Sequence, residues 1–339
     1  FSMFSGIGAF ELAINKVFPK NKCLGFSEIV ESKIDIYRKH FPGHKLYGDA
    51  AEIEWETIGP CDLLVGGFSC KSRSGARSFA QTVHGTDHDL SAETFEYIVQ
   101  AIYRGQFKDF ILENTMGQGR SKYSNEDIVQ ILSQELGKPV YIIKTEGCNF
   151  TGSNRKRIFF TSFPQITDQP VKIESFKYNL EPYEKVALGT KPPIRGLKRY
   201  DSHSEYREYL IEFMQKPSTR KTAKPGDKRW SMGFSSDTDK RCSKAFVTRC
   251  GYQPHVLIDR RGGDPLVRRW EISEIERLMG FPVGWTSIGV DKFGNNKQMG
   301  STARTRSLGD SIIVPVIEYI LENFLLDKKE KFKPKFVLD

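Results

Sequence analysis

Nothing in the 339 residues approaches the roughly 18 consecutive apolar residues of a membrane-spanning helix. No short apolar core behind a basic start marks a secretory leader either. The chain opens at Phe1, already inside a strand-like run, so any targeting segment upstream is invisible. The six cysteines, Cys23, Cys61, Cys70, Cys148, Cys242 and Cys250, show no C-x-x-C spacing. That pattern suggests neither a zinc ribbon nor a disulfide framework, and reduced thiols inside a cell are expected. The compartment would be cytoplasm or nucleoid in a prokaryotic or viral setting and the nucleus in a eukaryotic one. The sequon Asn149-Phe150-Thr151 is read as chance without a leader. Internal repeats are absent, which excludes a solenoid.

What is present is an ordinary globular balance, with 38% hydrophobic and 27% charged residues, and a length that suits about two domains. The formal net charge of +9 is compatible with a phosphate-rich partner, and basic residues crowd the stretch from Lys191 to Arg229. Strand-like and helix-like runs alternate up to about residue 160. The strands are read at Phe1–Phe4, Cys23–Glu28, Lys45–Tyr47, Asp62–Val65, Phe110–Leu112, Val140–Lys144 and Ile158–Phe160. Helices are read at Ala9–Val17, Ser32–His40, Ala92–Arg104 and Asp127–Leu136. Such alternation predicts an α/β fold with a doubly wound, mostly parallel, Rossmann-like sheet. From about Pro164 to Pro265 prolines, glycines and charges interrupt every run, and only Ala245–Val247 and His255–Ile258 read as strands. Helical patterning returns at Glu271–Met279 and Ser311–Phe324. The expected division is a sheet domain over 1–164, a smaller loop-rich basic domain over 165–265, a return to the first domain over 266–327, and a charged solvated tail over 328–339.

Chemistry-bearing residues gather at the strand ends. Phe4-Ser5-Gly6-Ile7-Gly8-Ala9-Phe10 turns the first strand into the first helix, where glycines admit a ligand to the backbone. The third glycine of a dinucleotide fingerprint is missing, which disfavours a nicotinamide cofactor. Glu28 ends the second strand, where a carboxylate can hold ribose hydroxyls, and Asp49 ends the third, where it can accept from an adenine amino group. Asp62-Leu63-Leu64-Val65-Gly66-Gly67-Phe68-Ser69-Cys70 delivers a thiol to the end of a buried strand. Lys71, Arg73 and Arg77 follow, and nearby cations favour a thiolate. His84 and His88 lack a helical face to share, so no metal is expected.

These segments resemble the successive motifs of cytosine-5 DNA methyltransferases. The resemblance rests on Phe4-Ser5-Gly6-Ile7-Gly8, Gly66-Gly67-Phe68-Ser69-Cys70, Leu112-Glu113-Asn114-Thr115 and Asn154-Arg155-Lys156-Arg157-Ile158-Phe159-Phe160. It extends to Arg277-Leu278-Met279-Gly280-Phe281-Pro282-Val283-Gly284-Trp285 and to Arg306-Ser307-Leu308-Gly309-Asp310-Ser311-Ile312-Ile313-Val314-Pro315. Only Gln165–Arg241 lacks motifs, which is where that family carries its variable target-recognition domain. The resemblance implies an enzyme that flips a cytosine from duplex DNA and attacks C6 through Cys70. Glu113 would hold N3 and the exocyclic amine, while Arg157 and Arg155 would bind the base carbonyl and orient the thiol and carboxylate. S-adenosylmethionine would donate the methyl and leave as S-adenosylhomocysteine. By the same match the cofactor-binding residues are Phe4, Gly6, Ile7, Gly8, Glu28, Ile29, Asp49, Ala50, Asp310 and Ser311. Lys71, Arg73, Arg77, Arg220, Lys221, Arg229 and Arg241 are candidate contacts to double-stranded DNA, and the family is commonly monomeric.

The chain departs from the pattern at Ser69-Cys70-Lys71 in place of Pro-Cys-Gln, at Thr115 in place of valine, and at Asp310 in place of asparagine. A compensating Lys71–Asp310 pair is one expectation from these changes. Two other functions stay open on sequence: methylation of RNA cytosine, as on tRNA, and a non-catalytic DNA-binding role.

Overall fold

Strands and helices alternate in space as they do in the sequence. The computed structural model describes residues 1–68, 90–116, 123–168, 173–187, 235–245, 256–262 and 266–331. The first half runs β1 (Ser2–Met3), α1 (Ala9–Val17), β2 (Phe26–Ser27), α2 (Glu31–His40), β3 (Leu46–Gly48) and β4 (Pro60–Gly67). It continues through α3 (Leu90–Arg104), β5 (Gln106–Thr115), α4 (Asn125–Leu136), β6 (Tyr141–Glu146), β7 (Ser153–Asn154) and β8 (Lys156–Thr161). Next come α5 (Tyr183–Ala187), β9 (Ser235–Asp237), β10 (Ser243–Lys244), β11 (Val256–Asp259) and β12 (Leu266–Arg269). The chain then forms α6 (Ile272–Leu278), β13 (Ile288–Val290), β14 (Asn296–Gln298), α7 (Ser301–Asp310) and α8 (Val314–Lys331).

The main sheet has the order β3-β2-β1-β4-β5-β8-β6. Its first five strands are parallel, and β8 lies antiparallel to both β5 and β6. Strand order reverses between β1 and β4, so a crevice opens there at the carboxyl edge. Central strands are apolar because both faces are covered. Val65, Ile111 and Phe159 point into one core with α1, α2 and α8 residues. Their neighbours Leu64, Phe110, Leu112, Ile158 and Phe160 point into the other, against Phe95, Ile98, Ile128 and Leu132 of α3 and α4. Short elements close with local signals: Ser124 and Asp127 form a capping box on α4, and Gly137 ends that helix in the left-handed region.

Beyond the main sheet, β11 pairs parallel with β9 and antiparallel with β12. Strand β10 pairs with β7 in a separate two-stranded sheet, tying this region to the segment just before β8. Arg268 sits buried between Asp259 and Glu274, donating to both carboxylates, and Arg261 donates to Asp259 as well. Burial opposes the charge on Asp259, yet the two guanidinium groups hold its carboxyl below the usual range.

Several expectations are corrected. Ala245 lies just past the two-residue β10 rather than inside a strand, and the rest of Ala245–Val247 is outside the described residues. The long C-terminal helix begins at Val314, not Ser311, and runs through Lys331 into the stretch expected as tail. Lys328 in it is ion-paired with Asp109. Helix α7 has no counterpart in the sequence reading. Cys148 and Cys242 are disulfide-bonded, with Cα atoms 5.7 Å apart, where free thiols were expected. The two segments were distant in sequence and carried no spacing signal. Cys23 and Cys61 are free. Among the described residues no helix is long and apolar enough to cross a membrane.

Candidate active site

At the end of β1 the chain turns through Phe4 at φ 53° and Gly6 at φ 57°. A bulky residue in the left-handed region is strained and persists only where neighbours hold it. Here Ser27 does so: its Oγ accepts from the Phe4 amide at 3.2 Å and its carbonyl from the Ser5 amide at 3.0 Å. Glu28, buried at the end of β2, accepts from the amides of Gly6, Ile29 and Val30, each at 3.0 Å. Its carboxylate therefore knits the β1–α1 turn to the start of α2. An ionised carboxylate offers about four acceptor positions, so one is left, on Oε2.

Ile29 is 68% exposed beside this turn, an apolar side chain in the open at the crevice. A Cβ built on Gly6 would meet no atom within 4 Å. Asp49 is exposed after β3 and accepts from the Ala51 amide at 3.0 Å, while Ala50 is buried. Open space over a glycine turn, a strand-end carboxylate with one acceptor site left and an exposed aliphatic side chain fit a nucleoside.

The turn is braced from behind. Trp285 donates its indole N–H to the Ile7 carbonyl at 3.0 Å and stacks on His40 at 3.4 Å between ring centroids. Burial pushes the His40 pKa down, while its Nε2 donates to the Trp285 carbonyl at 2.7 Å. Glu276, fully buried, accepts from the amides of Gly284 and Thr286 and from Arg304, fixing the loop that carries Trp285.

On the other side of the switch point, Gly67 pairs with Glu113 in the β4–β5 register. A Cβ on Gly67 would come to 3.0 Å from a Glu113 carboxylate oxygen, so any larger residue there would have to shift this carboxylate by a few tenths of an ångström. Glu113 is ion-paired with Arg157 of β8, their side chains 12% and 15% exposed. Asn114 next to it is fully buried and accepts from the Thr115 amide at 2.7 Å. The result is a carboxylate and a guanidinium side by side at the carboxyl edge, able to engage donor and acceptor groups of one planar ligand.

Arg155 is placed differently from Arg157. Its buried guanidinium donates to the carbonyls of Gly309 at 3.1 Å and Ser311 at 2.6 Å, and so pins the α7–α8 connection to the sheet. Ser311 is buried there. Asp310 pairs with Lys33 of α2 at 2.9 Å. Lys71, its expected partner, is outside the described residues, as are Cys70, Arg73, Arg77, Arg220, Lys221, Arg229, His84 and His88. Arg241, a candidate DNA contact, donates to the carbonyls of Ile173 and Cys148 and to Asn149, tying its own segment to theirs.

Sequence reasoning missed Lys33, His40 and Glu276, and read Trp285 only as part of a motif. One signal was available for Lys33: a lysine in the first turn of a helix opposes the helix dipole and calls for an acidic partner. Among the described residues no group of His, Cys, Asp and Glu could hold a metal ion.

Comparison with known proteins agrees with this layout. The type II methyltransferase M2.BsuMI of Bacillus subtilis is 25% identical over 326 residues, covering 95% of this chain and 74% of its own. The solved structure of S. pombe Dnmt2 methyltransferase superposes with a TM-score of 0.61 at 17% identity, covering 98% of both chains. Entamoeba histolytica methyltransferase EhMeth gives 0.64 at 13%, covering 96% of this chain and 97% of its own. At that identity the two structures speak for the fold alone. The sequence match to the family model takes in residues 1–325 and hence both sides of the crevice, and on that span the chain belongs to the C-5 cytosine-specific DNA methylases.

Proposed function

We propose that this chain methylates C5 of cytosine in double-stranded DNA, with S-adenosylmethionine as donor. The observation that carries the reading is the Glu113–Arg157 pair set at the crevice beside Gly67, within a family match over residues 1–325. Cys70 follows β4 in sequence and is the nucleophile toward C6 of a flipped base. Attack there makes C5 electron-rich. Glu113 holds N3 and the exocyclic amine, offsetting the charge that builds on the ring. Arg157 holds Glu113 in register and faces the base carbonyl, whereas Arg155 positions Ser311 rather than touching the base. Bound S-adenosylmethionine supplies an electrophilic methyl group on its sulfonium. Gly6, Glu28, Ile29 and Asp49 would hold its nucleoside part, the remaining Glu28 acceptor site being free for a hydroxyl donor. After transfer the C5 proton leaves and Cys70 is expelled, restoring the aromatic base.

The region around β9–β12 serves as the recognition module, with its basic residues on phosphates. The protein acts inside the cell as a single copy. Incubation with S-adenosylmethionine and mixed-sequence duplex DNA, followed by mass spectrometry of the nucleosides, tests the reading. The expected product is 5-methylcytosine, absent for Cys70→Ala and formed about 10²-fold more slowly or less by Glu113→Gln. Product formed undiminished by Cys70→Ala overturns the mechanism. Product in RNA but not in DNA overturns the substrate.

A further inference from the structure

The Cys148–Cys242 bond joins two segments that the proposed chemistry leaves unused. Cys148 is buried in the turn Gly147–Asn149 that follows β6, and Cys242 is half-buried just before β10. The turn is tightly packed: a Cβ on Gly147 would lie 2.4 Å from Ile313 and 2.6 Å from the Ser153 carbonyl. The Gly147 amide donates to the carbonyl of Arg155, the residue that pins the α7–α8 connection. One end of the bond is therefore fixed to the site. The other leads into β10 and, through the Lys244 amide on Ser236, to β9. Between the two cysteines, 94 positions apart, runs the whole basic stretch from Lys191 to Arg229.

Hydrogen bonds hold the same joint without the sulfurs. Arg241 donates to the carbonyls of Ile173 and Cys148 and to Asn149, and the Ser243 amide donates to the Gly152 carbonyl at 2.7 Å. Opening the bond would slacken the joint rather than unfold it, and closing it removes the freedom of a long loop. Cys242 is the sulfur that a thiolate from outside can reach. Cys148 is the one it would displace, with the Arg241 guanidinium bonded to its carbonyl and so beside the charge that the leaving sulfur carries. A second thiolate then frees Cys242, so two low-mass thiols become one low-mass disulfide and the protein gains two thiols. Oxidation by the low-mass disulfide runs the same steps in reverse. We propose that Cys148 and Cys242 are a reversible thiol–disulfide site that sets how firmly the recognition region is held, and hence how tightly DNA is bound. The DNA part rests on the function proposed above.

The test uses the full chain as Cys70→Ala, so that oxidation of the proposed nucleophile does not enter. Samples equilibrated with reduced or oxidised glutathione are alkylated in denaturant and mapped by peptide mass spectrometry. Cys148 and Cys242 should be alkylated only in the reduced sample and appear as one linked peptide pair in the oxidised one. Fluorescence anisotropy on mixed-sequence duplex DNA should then show about fivefold tighter binding by the oxidised form. Adding Cys242→Ala, at the half-buried end, should give the affinity of the reduced form after either treatment. Cysteines alkylated alike in both samples, a bond that stays closed in reduced glutathione, or equal DNA affinity in the two states overturns the proposal. So does a difference in affinity that persists with Cys242→Ala. If neither form binds DNA, the functional reading fails and this inference with it. The peptide map, read without DNA, tells that failure from a failure of the bond itself.

Discussion

Arg155 and Arg157 stand two positions apart and do different work. Arg157 pairs with Glu113 at the edge of the crevice, whereas Arg155 is 5% exposed and serves two main-chain carbonyls. Arg155→Met would leave the Gly309 and Ser311 carbonyls without this donor. Buried groups stripped of a partner cost about 1–3 kcal/mol each, so the loss should reach about 2–6 kcal/mol. Denaturant unfolding of the variant should show a lower midpoint at an unchanged slope. With Ser311 at the proposed donor site, the KM for S-adenosylmethionine should rise more than kcat falls. A variant with native stability and a defect confined to kcat would instead place Arg155 against the base.

Among the elements, those decided by local chemistry were legible and those decided at long range were not. Helix α1 spans Ala9–Val17 as read, because Gly8 marks its start and its apolar residues recur on one face. Strands β4 and β5 were legible only in their apolar centres, read as Asp62–Val65 and Phe110–Leu112, whereas they run Pro60–Gly67 and Gln106–Thr115. Helix α7 was not: Thr302, Arg304, Thr305 and Arg306 give it no apolar stripe, and it is held instead by Arg304 on Glu276. The start of α8 was read early because Ile312, Ile313 and Val314 are equally apolar, whereas Pro315 suits only a first helical turn. At the site, the motif residues were legible as chemistry, but their partners were not. Nothing local to Trp285 reveals that its indole reaches Ile7 across the fold. That bond makes a prediction at the scale of the β1–α1 turn. Trp285→Phe preserves most of the ring packing on His40 and Phe281 but removes the donor. It should cost about 1 kcal/mol in unfolding free energy and weaken S-adenosylhomocysteine binding several-fold. Unchanged affinity would mean that the turn keeps its shape without the brace.

Over the whole molecule, carboxylates at the joints decide how the fold answers to acid. Asp109 lies between the sheet and two distant lysines, Lys138 and Lys328, and their bonds hold its carboxyl below the usual range against the opposing effect of burial. Asp259 is depressed likewise by Arg261 and Arg268. Glu181 joins the segment before α5 to α6: Lys185, Ser273 and Arg277 all donate to it and lower its pKa from 4.5 to about 2. A carboxylate whose pKa is lower folded than unfolded binds fewer protons in the native state. Its stabilisation is therefore complete above the unfolded value and is lost as the pH falls toward the folded one. For Glu181 that window runs from about 4.5 down to about 2. Glu181→Gln keeps the shape but not the charge that its three donors answer. Denaturant unfolding at intervals from neutral pH to about 3 should find the variant less stable than the wild type near neutrality. The gap should narrow through the window as the wild-type carboxylate itself takes up a proton. A gap that stays constant across the range would mean that Glu181 acts through its shape and hydrogen-bond count alone, and that the joint between the two regions is not held by charge.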